Sequence, residues 1–170
     1  MEAMTNLSRP AVAVAAVALL LGLASGVVWY VNRDPVVERH TPGTEAWVPH
    51  LVVLAVVSVW FLVVSNRSPA GWQVILAPLG RPTAARIGAA FRTRNPLRWL
   101  AVGFLVFLEV YVVWRVGEQV VAGLDPNFTH NAWGGPSYLG AMACHYLDAA
   151  LLLAVCHALL TVATPPSHPR

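Results

Sequence analysis

Three ionisable residues within the apolar part of the chain have the types and spacing needed for acid–base chemistry: Glu109, His145 and Asp148. His145 and Asp148 are three residues apart, so on a helix their side chains share one face. Counting about 1.5 Å per residue from Arg98 and from Pro136 puts Glu109 and this pair at similar depths in a membrane. Ionisable groups at such depths are costly and mark functional candidates. We therefore expect one polar cluster, with Glu109 and Asp148 as acid and base and His145 as their partner.

The chemistry that fits such a cluster is proton transfer to a lipophilic substrate. A carboxylic acid in a dry pocket is a competent general acid, and a second titratable group nearby separates the acid and base roles. An isomerase or cyclase for isoprenoid- or lipid-like substrates needs this arrangement, because it begins by protonating an alkene or epoxide, and aromatic rings shelter the resulting cation. The residues that we expect to contact the substrate are Tyr111, Trp114, Arg115, Glu118, Trp133 and Tyr146.

Each of these residues also has a plainer interpretation. Arg115 and Glu118 are three apart near one end of an apolar segment, where they can form a self-satisfied ion pair at the membrane boundary or a clamp at the mouth of a site. For Glu109, the alternative to catalysis is a neutral carboxyl group bonded to a neighbouring helix. Both alternatives stay open from the sequence.

A second interpretation is a metal site, because histidine, aspartate and asparagine side chains supply ligands that suit copper, zinc or iron. The segment Asn131-Ala-Trp-Gly134 followed by His145 resembles the Asn-x-Trp-Gly…His segment in the C subunit of copper membrane monooxygenases. The segment from Arg33-Asp through Thr-Pro to His50 is similar to another segment of that family.

The resemblance to copper membrane monooxygenases implies metal contacts from His50, Asn131 and His145, and the metal interpretation adds His130. Gly135 stands where the family has a ligand histidine, and the spacing of the histidines differs. Copper is therefore the cofactor of this alternative, whereas the acid–base interpretation calls for none.

The elements that must position these residues are apolar helices. Of the 170 residues, 57% are hydrophobic and 11% are charged, against about 25% charged in typical soluble domains. Mean hydropathy is +0.60. A soluble enzyme and a nucleic-acid-binding module are therefore excluded as first interpretations. Four segments are long enough to cross the ~30 Å hydrocarbon core, at about residues 11–31, 46–65, 99–122 and 136–164.

From these segments we predict an all-α fold, a polytopic integral membrane four-helix bundle made of two helical hairpins. Residues 1–170 are expected to form a single transmembrane domain, and the first span is expected to remain uncleaved because its apolar run exceeds a signal-peptide core. The loop at residues 66–98 contains six arginines and no acidic residue, so it is predicted to be cytoplasmic, together with both termini. It is also expected to hold a short interfacial helix.

Composition and charge also suggest a setting and partners. Arginine without lysine, together with abundant alanine and valine, is typical of a bacterium, so the cell membrane is the expected location. The expected partners are the lipid bilayer and an apolar small molecule, with no nucleic acid. A third interpretation is non-catalytic: a proton-coupled carrier, or an accessory subunit in a homo-oligomer or larger membrane complex. Gly22, Ser25 and Gly26 in the first span suit helix–helix contacts of that kind.

Overall fold

The structure is a computed structural model that describes residues 6–164. Within these residues it contains helices and no strand. The helices are α1 (Arg9–Val31), α2 (Trp47–Arg67), a 3₁₀ helix (Gly71–Leu79), α3 (Arg81–Phe91), α4 (Pro96–Ala122), α5 (Pro126–Thr129) and α6 (Tyr138–Ala163). Helices α1, α2, α4 and α6 are long and apolar enough to cross a membrane. The four predicted spans are thus confirmed as helices, and the predicted short helix of the arginine-rich loop is present as α3.

Side chains just before the long helices explain where three of them begin. The Ser8 hydroxyl accepts a hydrogen bond from a backbone N–H of the first turn of α1, and the Asn95 side chain does the same for α4. Ser137 caps α6 in the same way. Such caps satisfy backbone donors that have no partner within the helix. Proline follows the cap at Pro10 and Pro96, where its missing N–H costs nothing.

The order of packing differs from the two hairpins expected from the sequence. Helix α1 packs along α4, α4 packs along α6, and α2 packs along α6. Only α4 and α6 therefore form a closely packed hairpin, and the pairing of α1 with α2 is not confirmed. Because apolar helices present similar surfaces, the sequence does not say which of them become neighbours. In α2 the one buried residue is His50.

Backbone contact between α1 and α4 depends on glycine. A Cβ atom at Gly22 would overlap the carbonyl oxygen of Trp114, and one at Gly117 would overlap the carbonyl oxygen of Leu19. Gly26 meets α4 in the same way one turn further along α1. Small residues let two helices approach this closely, which stabilises apolar helix pairs by van der Waals packing. The small residues of the first span are therefore used within the chain.

The loops at residues 32–46 and 123–137 fold together at one end of the helices, and we call them the cap. The backbone N–H groups of Glu38 and Thr41 donate to the side-chain oxygens of Asn127 and Asn131, at 2.7 and 2.9 Å. The Ala46 N–H continues this pairing by donating a hydrogen bond to the Trp133 carbonyl, at 2.8 Å. Asparagine side chains thus fasten one loop to the other, and the cap is an ordered layer above the helix ends.

The 3₁₀ helix and α3 lie at the opposite end, which we call the arginine end. Arg81 Nε donates to the Leu7 carbonyl, and Arg86 Nη2 donates to the carbonyls of Thr161 and Thr164 at the end of α6. Basic side chains commonly satisfy the last carbonyls of a helix in this way. Two arginines of this loop therefore have structural contacts in addition to the charge on which the predicted orientation depends.

Candidate functional site

The polar residues of α4 and α6 line a groove between these two helices, in the half nearer the cap. The groove has a volume of about 160 Å³. Its walls are Tyr111, Val112, Arg115, Val116 and Gln119 from α4, and His145, Asp148, Ala149 and Leu152 from α6. The side chains of Arg115 and Asp148 are 37% and 40% exposed, so the groove opens sideways from the helix layer. We refer to it as the lateral groove.

A histidine from α2 holds the carboxylate of the lateral groove from behind. His50 Nε2 lies 3.3 Å from Asp148 Oδ2, and His50 Nδ1 lies 2.6 Å from the Ala46 carbonyl oxygen. The His50 side chain is 5% exposed, and its ring packs 5.5 Å from the ring of Trp133. A carbonyl can only accept, so Nδ1 carries a hydrogen and Nε2 is left to share a proton with Asp148. Sequence analysis named His50 only as a metal contact of the copper interpretation and did not identify this partner.

Three polar side chains in the groove make no side-chain hydrogen bond within residues 6–164: Tyr111, Gln119 and His145. His145 is one of them, and both of its ring nitrogens are free to meet a ligand. Another is Gln119, which is 4% exposed and is part of the groove wall. Buried amides are normally bonded, so an unbonded one beside a cavity is unusual. Sequence reasoning missed Gln119, although an amide within an apolar span is itself a polar signal.

Arg115 and Glu118 form the ion pair that their spacing predicts. Arg115 Nη1 donates to Glu118 Oε2, and the guanidinium lies 5.4 Å from the ring of Phe128 in the cap. The plainer interpretation of this pair as self-satisfied is therefore supported. Arg115 still lines the lateral groove, whereas Glu118 is buried on the side of α4 that faces α1.

A larger cavity of about 600 Å³ lies between α1 and the cap, with Glu118 and Asp125 in its wall. Both carboxylates already have protein partners, since Asp125 Oδ2 accepts from Trp29 Nε1 at 3.2 Å and Glu118 is paired with Arg115. The buried charges of this cavity are thus used to join α1, α4 and the cap.

Glu109 does not join His145 and Asp148, contrary to the cluster expected from the sequence. Its Oε1 lies 3.8 Å from Nδ1 of His157, and neither atom has a hydrogen bond in the described part of the chain. Arg115, which shares the groove with Asp148, is six residues and about 9 Å of helix rise away from Glu109. The depth estimate failed because it fixed both helix ends from the sequence, whereas the register of α4 against α6 sets the pairing.

The aromatic residues named from the sequence divide between the groove and its surroundings. Tyr111 lines the groove, and its ring lies 5.6 Å from that of Trp114 and 6.2 Å from that of Phe107. Trp133 is in the cap beside His50. Tyr146 lies on α6 and is not part of the groove wall. Tyr111 is therefore the one predicted aromatic contact that the groove itself contains.

The four residues named for a copper site have different neighbours. His130 Nδ1 donates to the Asn127 carbonyl at 2.7 Å, and Nε2 lies 3.1 Å from Glu38. The Asn131 side chain is bonded to the other cap loop, while His50 and His145 lie at the lateral groove. Within residues 6–164, no three His, Cys, Asp or Glu side chains are grouped so as to hold a metal ion. The copper interpretation stays a prediction, and two of its residues, His130 and Asn131, have structural contacts in the cap.

A further histidine–carboxylate pair in the cap shifts the pKa of its carboxyl group. His40 Nε2 lies 2.9 Å from Glu45 Oε1, while His40 Nδ1 donates to the His130 carbonyl. Hydrogen bonds from a backbone N–H, together with the one from His40, lower the pKa of Glu45 below its usual value. A lowered pKa means that the ionised carboxylate stabilises the cap.

Four long apolar helices, two of which enclose a groove with polar side chains in its wall, are the features of a multi-pass membrane protein. The chain matches no protein-family model, and no curated protein or solved structure is similar enough to count as a match. The interpretation of the site therefore depends on its own geometry.

Proposed function

We propose that this protein is a membrane-embedded enzyme that acts on a lipophilic, isoprenoid- or lipid-like substrate by acid–base chemistry, as an isomerase or cyclase does. The observation that carries the proposal is the hydrogen bond between His50 and Asp148 at the wall of an open groove. Helix rise puts Asp148 about 15 Å from the cap end of α6, a depth at which an exposed carboxyl group is costly. In this proposal the groove faces lipid in the cell membrane, with the cap outside and the arginine end in the cytoplasm.

The contacts of His50 and Asp148 suit a carboxyl group that alternately gives up and recovers a proton. When Asp148 is protonated it donates to Nε2 of a neutral His50, and when it is ionised it accepts from an imidazolium. Both forms keep the hydrogen bond, while the Ala46 carbonyl fixes the ring. Transfer of this proton to a substrate double bond leaves the ionised Asp148 facing the unprotonated Nε2 of His50, so the pair lacks one proton and recovery of that proton restores the hydrogen bond.

His145 is the group that completes an isomerisation. It is three residues from Asp148 and its ring nitrogens are unbonded within the described residues. Asp148 gives a proton to one carbon of the double bond, and His145 removes a proton from the neighbouring carbon of the cation. Return of that proton from His145 to Asp148 restores the enzyme, so no external oxidant or reductant is consumed. In this scheme the Glu109–His157 pair has no catalytic role.

Deuterium incorporation tests this proposal without knowledge of the substrate. The purified protein is reconstituted into liposomes made from a lipid extract of its native membrane, in D₂O, and neutral lipids are analysed by mass spectrometry. Acid–base isomerisation through a carbocation puts solvent deuterium on carbon. We expect one lipid species to gain deuterium with the unmodified chain and to lose this gain with Asp148→Asn.

Gln73→Leu is the control, since Gln73 lies in the 3₁₀ helix at the arginine end, away from the groove. It should incorporate deuterium at the rate of the unmodified chain. Equal incorporation with the unmodified chain, Asp148→Asn and empty liposomes would show that the groove does not catalyse proton transfer to lipid carbon.

A further inference from the structure

The polar groups that line the lateral groove bear on which end of a substrate enters it. Arg115 is paired with Glu118, and Asp148 is paired with His50. No cation in the wall is left without a partner. Phosphate and carboxylate groups are held by arginine or lysine through charge-assisted hydrogen bonds, so an anionic head group lacks its usual partner here.

The groove does contain hydrogen-bonding groups without partners. Gln119 is 96% buried, has no side-chain hydrogen bond within residues 6–164, and is part of the groove wall. His145 presents a ring that is likewise unbonded. An amide offers both donors and an acceptor, and a neutral imidazole offers one of each. Together they match a hydroxyl or carbonyl oxygen, which needs hydrogen bonds but no counter-charge.

The volume of the groove limits the size of the group that enters. A cavity of about 150 Å³ holds one benzene molecule, and the groove measures about 160 Å³. It therefore fits a six-membered ring rather than a whole isoprenoid chain. Phe107, outside the groove, and Tyr111, in its wall, are 60% and 43% exposed and follow one face of α4, where an apolar tail can lie.

From these features we infer that the groove takes the uncharged, ring-sized head group of an amphiphile with an apolar tail, and that Gln119 and His145 bind an oxygen on that head group. The inference rests on the proposed function in that it specifies the substrate class of the same groove. It makes Gln119 a binding residue, which is separate from the proton transfer assigned to Asp148.

Three probes with one tail and different heads test the inference: 4-decylphenol, decylbenzene and decyl phosphate. Binding to the full chain in lipid nanodiscs is measured by titration calorimetry, with empty nanodiscs as the control for partitioning into lipid. We expect saturable binding of 4-decylphenol and at least about tenfold weaker binding of the other two probes, because each loses a matched hydrogen bond or lacks a counter-charge.

The variant that tests the binding residue is Gln119→Leu, which keeps the size of the side chain and removes the amide. It should weaken 4-decylphenol binding about tenfold and leave decylbenzene binding unchanged. Gln73→Leu should change neither. His145→Leu provides a second test on the other helix and should also weaken phenol binding. Unchanged phenol affinity in either variant, if it is folded, overturns the inference, as does equal or tighter binding of decylbenzene or decyl phosphate.

Asp148→Asn separates this inference from the proposed function. It should still bind 4-decylphenol, since Gln119 and His145 are intact. Phenol binding that depends on Gln119, without deuterium incorporation into any lipid, would leave the inference standing and reject the proposed function. Deuterium incorporation that depends on Asp148, with unchanged phenol binding in Gln119→Leu, would do the reverse.

Discussion

Two histidine–carboxylate pairs lie at different depths of the α4–α6 region, and their surroundings differ. In the pair nearer the cap, His50 is 5% exposed whereas the Asp148 side chain is 40% exposed and borders the lateral groove. In the pair nearer the arginine end, the side chains of Glu109 and His157 are 14% and 19% exposed, and neither lines the groove. One pair is therefore open on the carboxylate side and the other is enclosed on both sides.

This difference separates a reactive role from a structural one. A carboxyl group that reacts must reach its substrate, and Asp148 borders the groove while His50 is anchored behind it. Glu109 meets only protein, and its contact with His157 links α4 to α6. An ionisable residue in an apolar helix is costly in both places. The presence of such a residue in the sequence therefore does not tell the two roles apart, and access does.

The largest effect that this comparison predicts is on catalysis. Asp148→Asn should lower the rate of deuterium incorporation at least about 100-fold, the usual contribution of a general acid or base. Glu109→Gln should keep the rate within about threefold, because Gln fills the same space and Glu109 does not touch the groove. The initial rates of the two variants in liposomes, at equal amounts of folded protein, give the ratio.

The comparison would be reversed by a 100-fold loss in Glu109→Gln with a normal rate in Asp148→Asn. A similar large loss in both variants would mean that the two pairs act as one proton pathway. His157→Gln provides the matched variant on α6 and should behave like Glu109→Gln.

The sequence predicted the helices well because each span is a continuous apolar run bounded by turn-forming residues. Ser8, Asn95 and Ser137 cap the helices close to the predicted starts. The sequence did not predict that α1 packs on α4, because glycines along one helix face indicate a close contact with another helix but not which helix it is. Asn127 and Asn131 belong to a loop rich in turn residues, which indicates a folded loop. The sequence did not indicate which other loop these two side chains bind.

The sequence predicted which polar residues of α6 share a face, but not how polar residues of different helices group. His145 and Asp148 share a face because they are on one helix, where spacing is a local property. The predicted grouping with Glu109 was wrong because it depends on the register between α4 and α6. An error of a few residues in the predicted end of either helix changes which of their residues lie side by side. His50 and Gln119 complete the groove from two further positions, and both required the packing of α2, α4 and α6 to be known.

A smaller effect is expected on stability, where the hydrogen-bonded pair His50–Asp148 should matter more than the pair Glu109–His157, which has no hydrogen bond. Glu109→Leu removes a contact of 3.8 Å that is not a hydrogen bond, so it should lower the free energy of unfolding by less than about 1 kcal/mol. The double variant Glu109→Leu/His157→Leu should recover most of this loss, because a buried polar pair is often replaceable by apolar side chains. Asp148→Leu should cost more, about 1–3 kcal/mol, because it leaves the buried Nε2 of His50 without its hydrogen bond. Equilibrium unfolding in mild detergent measures all three, and a double variant as unstable as the sum of the single variants would contradict the pairing.

The smallest effect concerns the cap, which covers the open pair through Ala46 and Trp133. Because the folded pKa of Glu45 is lowered from about 4.5, its contribution is fully present above that pH and is lost as the pH falls through the lowered value. When the pH is lowered from 6 to below 4.5, hydrogen exchange of the cap amides should therefore become faster relative to that of the α4 amides. The increase should be less than about fivefold, since the contact is exposed. Hydrogen–deuterium exchange corrected for intrinsic rates measures this difference.

In the variant Glu45→Gln the faster exchange of the cap amides should already be present at pH 6 and change little on acidification. Cap amides in that variant that match the unmodified chain at both pH values would show that the Glu45 carboxylate does not hold the cap over the groove.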